Sequence, residues 1–204
     1  MQRRQFVTAS IGLTLAAAAA PAIAAPQESL DADLRPYLGQ YNLPALAAAV
    51  VRQGAVLGAG AVGTRRYGAD IPVTLQDRFH IGSDTKAMTA LLAGMFVESQ
   101  ALRWDSTVVE VFPELASGMD ARLKAVTLEQ LLSHTSGIPS DNDAQVKLIM
   151  DSLLVTYENL NELRYDIVQK LVTMPLDAAP GARFAYANMG YLLVGAMLER
   201  KGGR

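Results

Sequence analysis

Two apolar, valine-bearing runs, Leu46 to Arg52 and Ala55 to Val62, flank Gln53-Gly54. They carry the clearest strand signal in the chain, because a two-residue connection containing glycine suits the positive φ angles of a tight hairpin. Everything after them reads as helix or loop. An isolated two-stranded hairpin is marginal in water, so its apolar face requires a helix or further strands to cover it. The sequence supplies helices and no later strand. This imbalance most constrains the fold: a small sheet element beside a large helical part. Half of the 204 residues are apolar and 19% are charged, which is ample for a packed core and argues against a disordered chain. The length suits one domain with a small second lobe.

Hydrophobic spacing predicts the helices. Glu28 to Tyr41 places Leu30, Leu34 and Leu38 on one face, with Pro36 expected to kink or shorten it. Thr64 to Asp77 reads as a polar, turn-rich loop. Ala87 to Gln100 repeats Met88, Leu91, Leu92, Met95 and Phe96 at helical intervals, which predicts a buried helix central to the fold. Trp104 to Pro113 reads as a loop. Thr127 and Gln130 form a capping-box pattern, and the short helix they open is expected to stop between His134 and Gly137, with Gly137 suited to the stop. Asp143 to Leu154, Glu158 to Met174 and Asn188 to Arg200 complete the helices, with a Pro180-Gly181 turn before the last.

At the N-terminus, Arg3-Arg4-x-Phe6 precedes an apolar run from Phe6 to Ala20 that is too short and too often interrupted to span a membrane. Pro21 ends it, and Ala22 and Ala24 suit a signal peptidase. Residues 1–24 are therefore expected to be a signal peptide of the twin-arginine type, leaving 25–204 as an exported protein in the periplasm or outside the cell. No other run is apolar and long enough to span a membrane. The net charge of −2, with no basic stripe, argues against a nucleic-acid partner. Two histidines and no cysteine leave little for a transition metal, and no loop has calcium-ligand spacing. No metal or cofactor is expected.

Ser83 and Lys86 lie three apart where the apolar helix begins, so they share one face. A serine hydroxyl attacks only when a base takes its proton. A lysine can serve where burial, a second cation or a helix N-terminus disfavours the ammonium, and the same N-terminus offers N–H groups to an oxyanion. A plain cap beside a solvated lysine fits these two residues as well. Tyr186-Ala187-Asn188 stands about 100 residues later at another helix start. A tyrosine oxygen can relay a proton and an asparagine amide can hold a carbonyl or a lysine. Taken alone, a core tyrosine and a helix cap are the better reading of these residues.

The segments together resemble a known family. Phe79-His80-Ile81-Gly82-Ser83-Asp84-Thr85-Lys86 resembles the nucleophile motif of the serine β-lactamase-like family, which includes class C β-lactamases, D-Ala-D-Ala carboxypeptidases and esterases. Tyr186-Ala187-Asn188 is similar to its Tyr-x-Asn motif, and Leu131-Leu132-Ser133-His134-Thr135-Ser136-Gly137 to its Leu-Leu-x-His-Thr-Ser-Gly segment. Ala101 to Asp105 leading to Phe112-Pro113, and Pro180-Gly181-x-x-Phe184-x-Tyr186, also match in order and spacing. The resemblance implies an α+β fold, with a helical lobe and part of an antiparallel sheet formed by the early hairpin alone. It implies Ser83 as the acylated nucleophile, Lys86 as base or proton partner, Tyr186 in the proton relay and Asn188 binding substrate and positioning Lys86. His134, His80 and Asp105 read as structural.

The family's third motif, Lys-Thr-Gly or His-x-Gly on a later strand, is absent before Arg204, so a chain cut short is expected. The motif's strand supplies a second oxyanion donor in the family, and losing one such donor costs on the order of 3 kcal/mol. Without the later strands the hairpin keeps an exposed edge. The substrate would be a small molecule or peptidoglycan-derived: an ester, a β-lactam or a D-Ala-type amide. The competing reading is a weak or inactive binder of such ligands. An all-helical interaction domain with chance motif matches is the third.

Overall fold

The computed structural model describes residues 28–203; the expected signal peptide lies outside them. Contacts divide the chain into two units, up to Phe79 and from His80 onward.

The first unit is a three-stranded sheet and one helix. Strands β2 (Ala45–Arg52) and β3 (Ala55–Gly63) form the antiparallel hairpin, with Gln53 and Gly54 both at positive φ (51° and 78°). Two successive positive φ angles match the right-handed twist of the flanking strands. A third strand, β1 (Glu28–Ser29), pairs parallel to β3 through Glu28–Gly58 and Ser29–Ala59, giving the order β1-β3-β2. The helix expected from Glu28 therefore begins later, as α1 (Asp31–Tyr41), and the sheet is larger than the hairpin. The reason is the backbone of β3. The Leu30 N–H donates to the Ala59 carbonyl (3.1 Å) and the Ala61 N–H to Asp31 Oδ1 (2.9 Å), so strand pairing claims the segment before helix can. Gly60 permits the approach, since a Cβ there would lie 2.8 Å from Asp31 Oδ1. Pro36 does not shorten α1, which runs on to a left-handed Asn42. The outer edge of β2 has no partner strand among the described residues.

The second unit is helical. Its centre is α7 (Asn188–Lys201), whose Met189, Gly190, Leu193, Val194, Ala196, Met197 and Leu198 are buried. Around it pack α2 (Thr85–Glu98), α3 (Val108–Val111), α4 (Leu128–Leu132) and α6 (Leu160–Leu171), while α5 (Asp143–Leu153) packs on α6. Phe112, Leu128, Leu131 and Val168 close the core. Asp166 on α6 ties α5 to α6 by accepting from Ser152 (3.1 Å), Tyr157 (2.7 Å) and Lys170 (2.5 Å).

Three expectations change here. Helix α3 lies where a loop was expected; Thr107 and Glu110 close a capping box there as Thr127 and Gln130 do for α4. Helix α2 is not buried: Ala93 alone is, while Met88, Leu91, Leu92 and Met95 are 44–70% exposed. Its apolar surface runs most of the way round, and one partner helix covers only one side. The stop of α4 is His134, left-handed at φ 58°, just past the C-cap Ser133, rather than Gly137. Gly137 serves a different purpose. It too is left-handed (φ 81°), and a side chain there would run into the Ala178 carbonyl. The loop after α6 is laid along this segment by three backbone bonds: Asp177 N–H to Gly137, Gly181 N–H to Thr135 and Ala185 N–H to His134 (2.9, 2.7 and 2.8 Å). The loop that carries Tyr186 is thus templated by His134 to Gly137.

Candidate active site

Ser83 is the middle residue of a single 3-10 turn, Gly82–Asp84, that runs directly into α2. Lys86 is one turn on, and its Nζ donates to Ser83 Oγ at 3.1 Å. Tyr186 and Asn188 arrive from the other end of the unit. Ala187 between them is extended (φ −135°, ψ 115°), and alternate residues of an extended segment point the same way. That is why the spacing is Tyr-x-Asn. Tyr186 Oη donates to Ser83 Oγ at 2.6 Å, and Lys86 Nζ donates to Asn188 Oδ1 at 2.6 Å. The structure brings the four side chains together, across about 100 residues of sequence, at a solvent-open position.

The electrostatics follow from the lysine. Lys86 Nζ lies over the rings of Tyr186 (4.8 Å) and Tyr191 (5.5 Å). Hydrogen bonding to Lys86, then to Ser83, holds the Tyr186 phenol below its ordinary pKa of 10, with the Lys86 charge adding to the effect. Such a phenol gives up its proton more readily and can take one back from a neighbouring hydroxyl. Asn188 does not cap α7. Its Nδ2 donates to Asp141, which leaves Oδ1 facing Lys86.

The sequence of the Beta-lactamase family matches residues 30–204. The chain belongs to this family. A protein named for fimbrial assembly, FimD of serogroup D from Dichelobacter nodosus, is 32% identical over 133 residues, 65% of this chain and 32% of that protein. The flp protein of Staphylococcus aureus strain COL is 25% identical over 173 residues, 85% of this chain and 33% of its own length. Among solved structures, the octameric penicillin-binding protein homologue of Pyrococcus abyssi superposes with a TM-score of 0.65 at 28% identity, over 84% of this chain and 38% of that one. The chain thus spans about a third of the length of these two relatives.

Of the other residues singled out by sequence, His80 accepts the Gly82 N–H on Nδ1 (3.1 Å), ahead of the Ser83 turn. Asp105 pairs with Arg103 at 2.9 Å on the surface. Two residues at the site carried no expectation. Asp141 lies just before the cap of α5, and nothing local in Asp141-Asn142-Asp143 ties it to a residue 47 positions on. Tyr191 could have been found: it is three residues past Asn188, one turn along the same helix face. Among the described residues, no cluster of three or more His, Asp or Glu is placed to hold a metal ion, and no helix is long and apolar enough to cross a membrane.

Proposed function

We propose that this chain carries the acylating machinery of a serine hydrolase, with Ser83 as nucleophile toward an ester, a β-lactam or a D-Ala-type amide. The observation that carries the reading is the convergence of Tyr186 Oη (2.6 Å) and Lys86 Nζ (3.1 Å) on one oxygen, Ser83 Oγ. The shorter contact and the loosened phenol favour Tyr186 as the base. With Tyr186 ionised to the phenolate, Ser83 Oγ bonds to the substrate carbonyl carbon while its proton passes to the Tyr186 oxygen. The proton then goes to the leaving group as the C–O or C–N bond breaks. Water adds to the acyl carbon, the bond to Oγ breaks, and Ser83 regains a proton. Asn188, held by Asp141, fixes Lys86 and offers its amide edge to the substrate.

The test is intact mass after brief incubation with a penicillin and, separately, with an activated short-chain ester. An adduct of the acyl mass is expected in the wild type and absent in Ser83→Ala. A folded wild-type chain that takes up neither acyl group would overturn the enzymatic reading in favour of a non-catalytic binder. Faster labelling by one reagent would choose between the penicillin-directed and esterase branches.

Export is also inferred, to the periplasm or beyond the cell. Its support is the sequence of residues 1–24, with the Arg3-Arg4-x-Phe6 pattern and Ala22 and Ala24. N-terminal sequencing of the protein recovered from its source cells is expected to start at Ala25; recovery from the cytoplasm with residues 1–24 intact would contradict it.

A further inference from the structure

We propose that His134, as the neutral imidazole, is the positioning residue of the Tyr186–Asn188 segment, and that protonating it disables the site in acid. The inference rests on the serine-hydrolase reading above.

One residue satisfies two backbone donors of the segment. The His134 carbonyl accepts the Ala185 N–H (2.8 Å), and the ring Nδ1 accepts the Ala187 N–H (3.1 Å). The ring also lies against the Tyr186 ring, with centroids 4.5 Å apart and planes 32° apart. The left-handed backbone of His134 belongs to this arrangement, since a non-glycine residue adopts positive φ at a cost that its surroundings must offset. Ala187 separates Tyr186 from Asn188, so a shift of its amide displaces both side chains at once.

Only an unprotonated Nδ1 can accept. The Ala187 bond therefore requires the neutral ring with its proton on Nε2. Protonation turns Nδ1 into a donor facing another donor. Ala187 is 1% exposed, which leaves its N–H no easy replacement in water. A buried donor without an acceptor is costly, and the segment is expected to move. The titratable groups around the ring are Lys86 of α2, Tyr186 and, with its ring centroid 5.1 Å away, Tyr191 of α7; Phe184 packs edge-on. No carboxylate bonds to the ring among the described residues. Burial, and then the Lys86 charge, hold the imidazole below its ordinary pKa of 6.5. For a depressed pKa the competent form is complete above 6.5 and is lost as pH falls through the lower, folded-state value.

The test compares two variants of the full chain. His134→Phe keeps a ring and loses the acceptor. His134→Asn tolerates left-handed φ and can place Oδ1 where Nδ1 lies. The rate of Ser83 acylation by penicillin at neutral pH is expected to fall about 10²-fold in His134→Phe, the scale of a small misplacement of reacting groups. His134→Asn should restore most of it. Below 6.5 the wild-type rate should fall more steeply than the ionisation of Tyr186 alone requires, a break that His134→Asn lacks. Independently of any reaction, the wild-type Ala187 amide resonance should shift with the same midpoint as the His134 ring. A folded His134→Phe at the wild-type rate, the same break below 6.5 in His134→Asn, or an Ala187 amide unmoved by the His134 titration would each overturn the inference. Absence of acylation in the wild type at every pH would count against the hydrolase reading instead, and the Ala187 resonance would still decide the role of His134.

Discussion

Lys86→Ala is expected to lower the rate of Ser83 acylation by about 10³- to 10⁴-fold, the upper part of the range for positioned proton-transfer groups. The lysine does three things that alanine cannot. It donates to Ser83 Oγ, it donates to Asn188 Oδ1, and it places a charge over the Tyr186 ring. Removing it also removes the leading cause of the lowered Tyr186 pKa, so the phenol returns toward 10. The variant should therefore be slow and should regain rate only at more alkaline pH. Lys86 lies at the open end of α2, so the fold should survive and circular dichroism should match the wild type. The measurement is the second-order rate of mass labelling by an activated ester across pH. Labelling within a few-fold of wild type at neutral pH would show that the lysine is a bystander.

Tyr186→Phe is expected to cost about 10²- to 10³-fold, less than Lys86→Ala because the lysine remains beside Ser83 Oγ. Phenylalanine keeps the ring that packs on His134 and deletes the oxygen 2.6 Å from Ser83. The pH profile is more informative than the magnitude. A phenol with a lowered pKa ionises as pH rises, so the wild-type acylation rate should climb with pH and level off below 10. The part of that climb above 6.5 should vanish in Tyr186→Phe, leaving only the acid limb assigned to His134. A variant that keeps the climb above 6.5 would shift the base assignment to Lys86.

What could be read from the sequence divides along a physical line. Local rules served well: the Gln53-Gly54 turn, the Thr127 capping box and the three-residue interval of Ser83 and Lys86 each appear as spacing, and each forms. Tyr186 and Asn188 were legible as a pair, but their meeting with Ser83 depends on α2 packing against α7, which no local pattern states. Strand β1 was hidden because its partner Gly58 lies 30 residues away and its own signal is two residues long. Helix α3 is only four residues long and sits in a segment that reads as a loop, though Thr107 and Glu110 spell the same capping box as Thr127 and Gln130. In α2 the spacing revealed an apolar helix and said nothing of which side would be covered. Asp141 is illegible because its partner, Asn188, lies 47 residues on and is brought to it by tertiary approach alone.

The unequal burial of α2 and α7 has a consequence for how the site breathes. Local opening costs least where few apolar contacts must be given up. Asn188 begins the best-buried helix of its unit, so its half of the constellation opens only at the cost of many apolar contacts. Ser83 and Lys86 begin a helix with one fully buried side chain, so their half can fray at far lower cost. Excursions of the nucleophile should therefore be one-sided, with α2 lifting from a stationary Asn188 rather than both halves parting together.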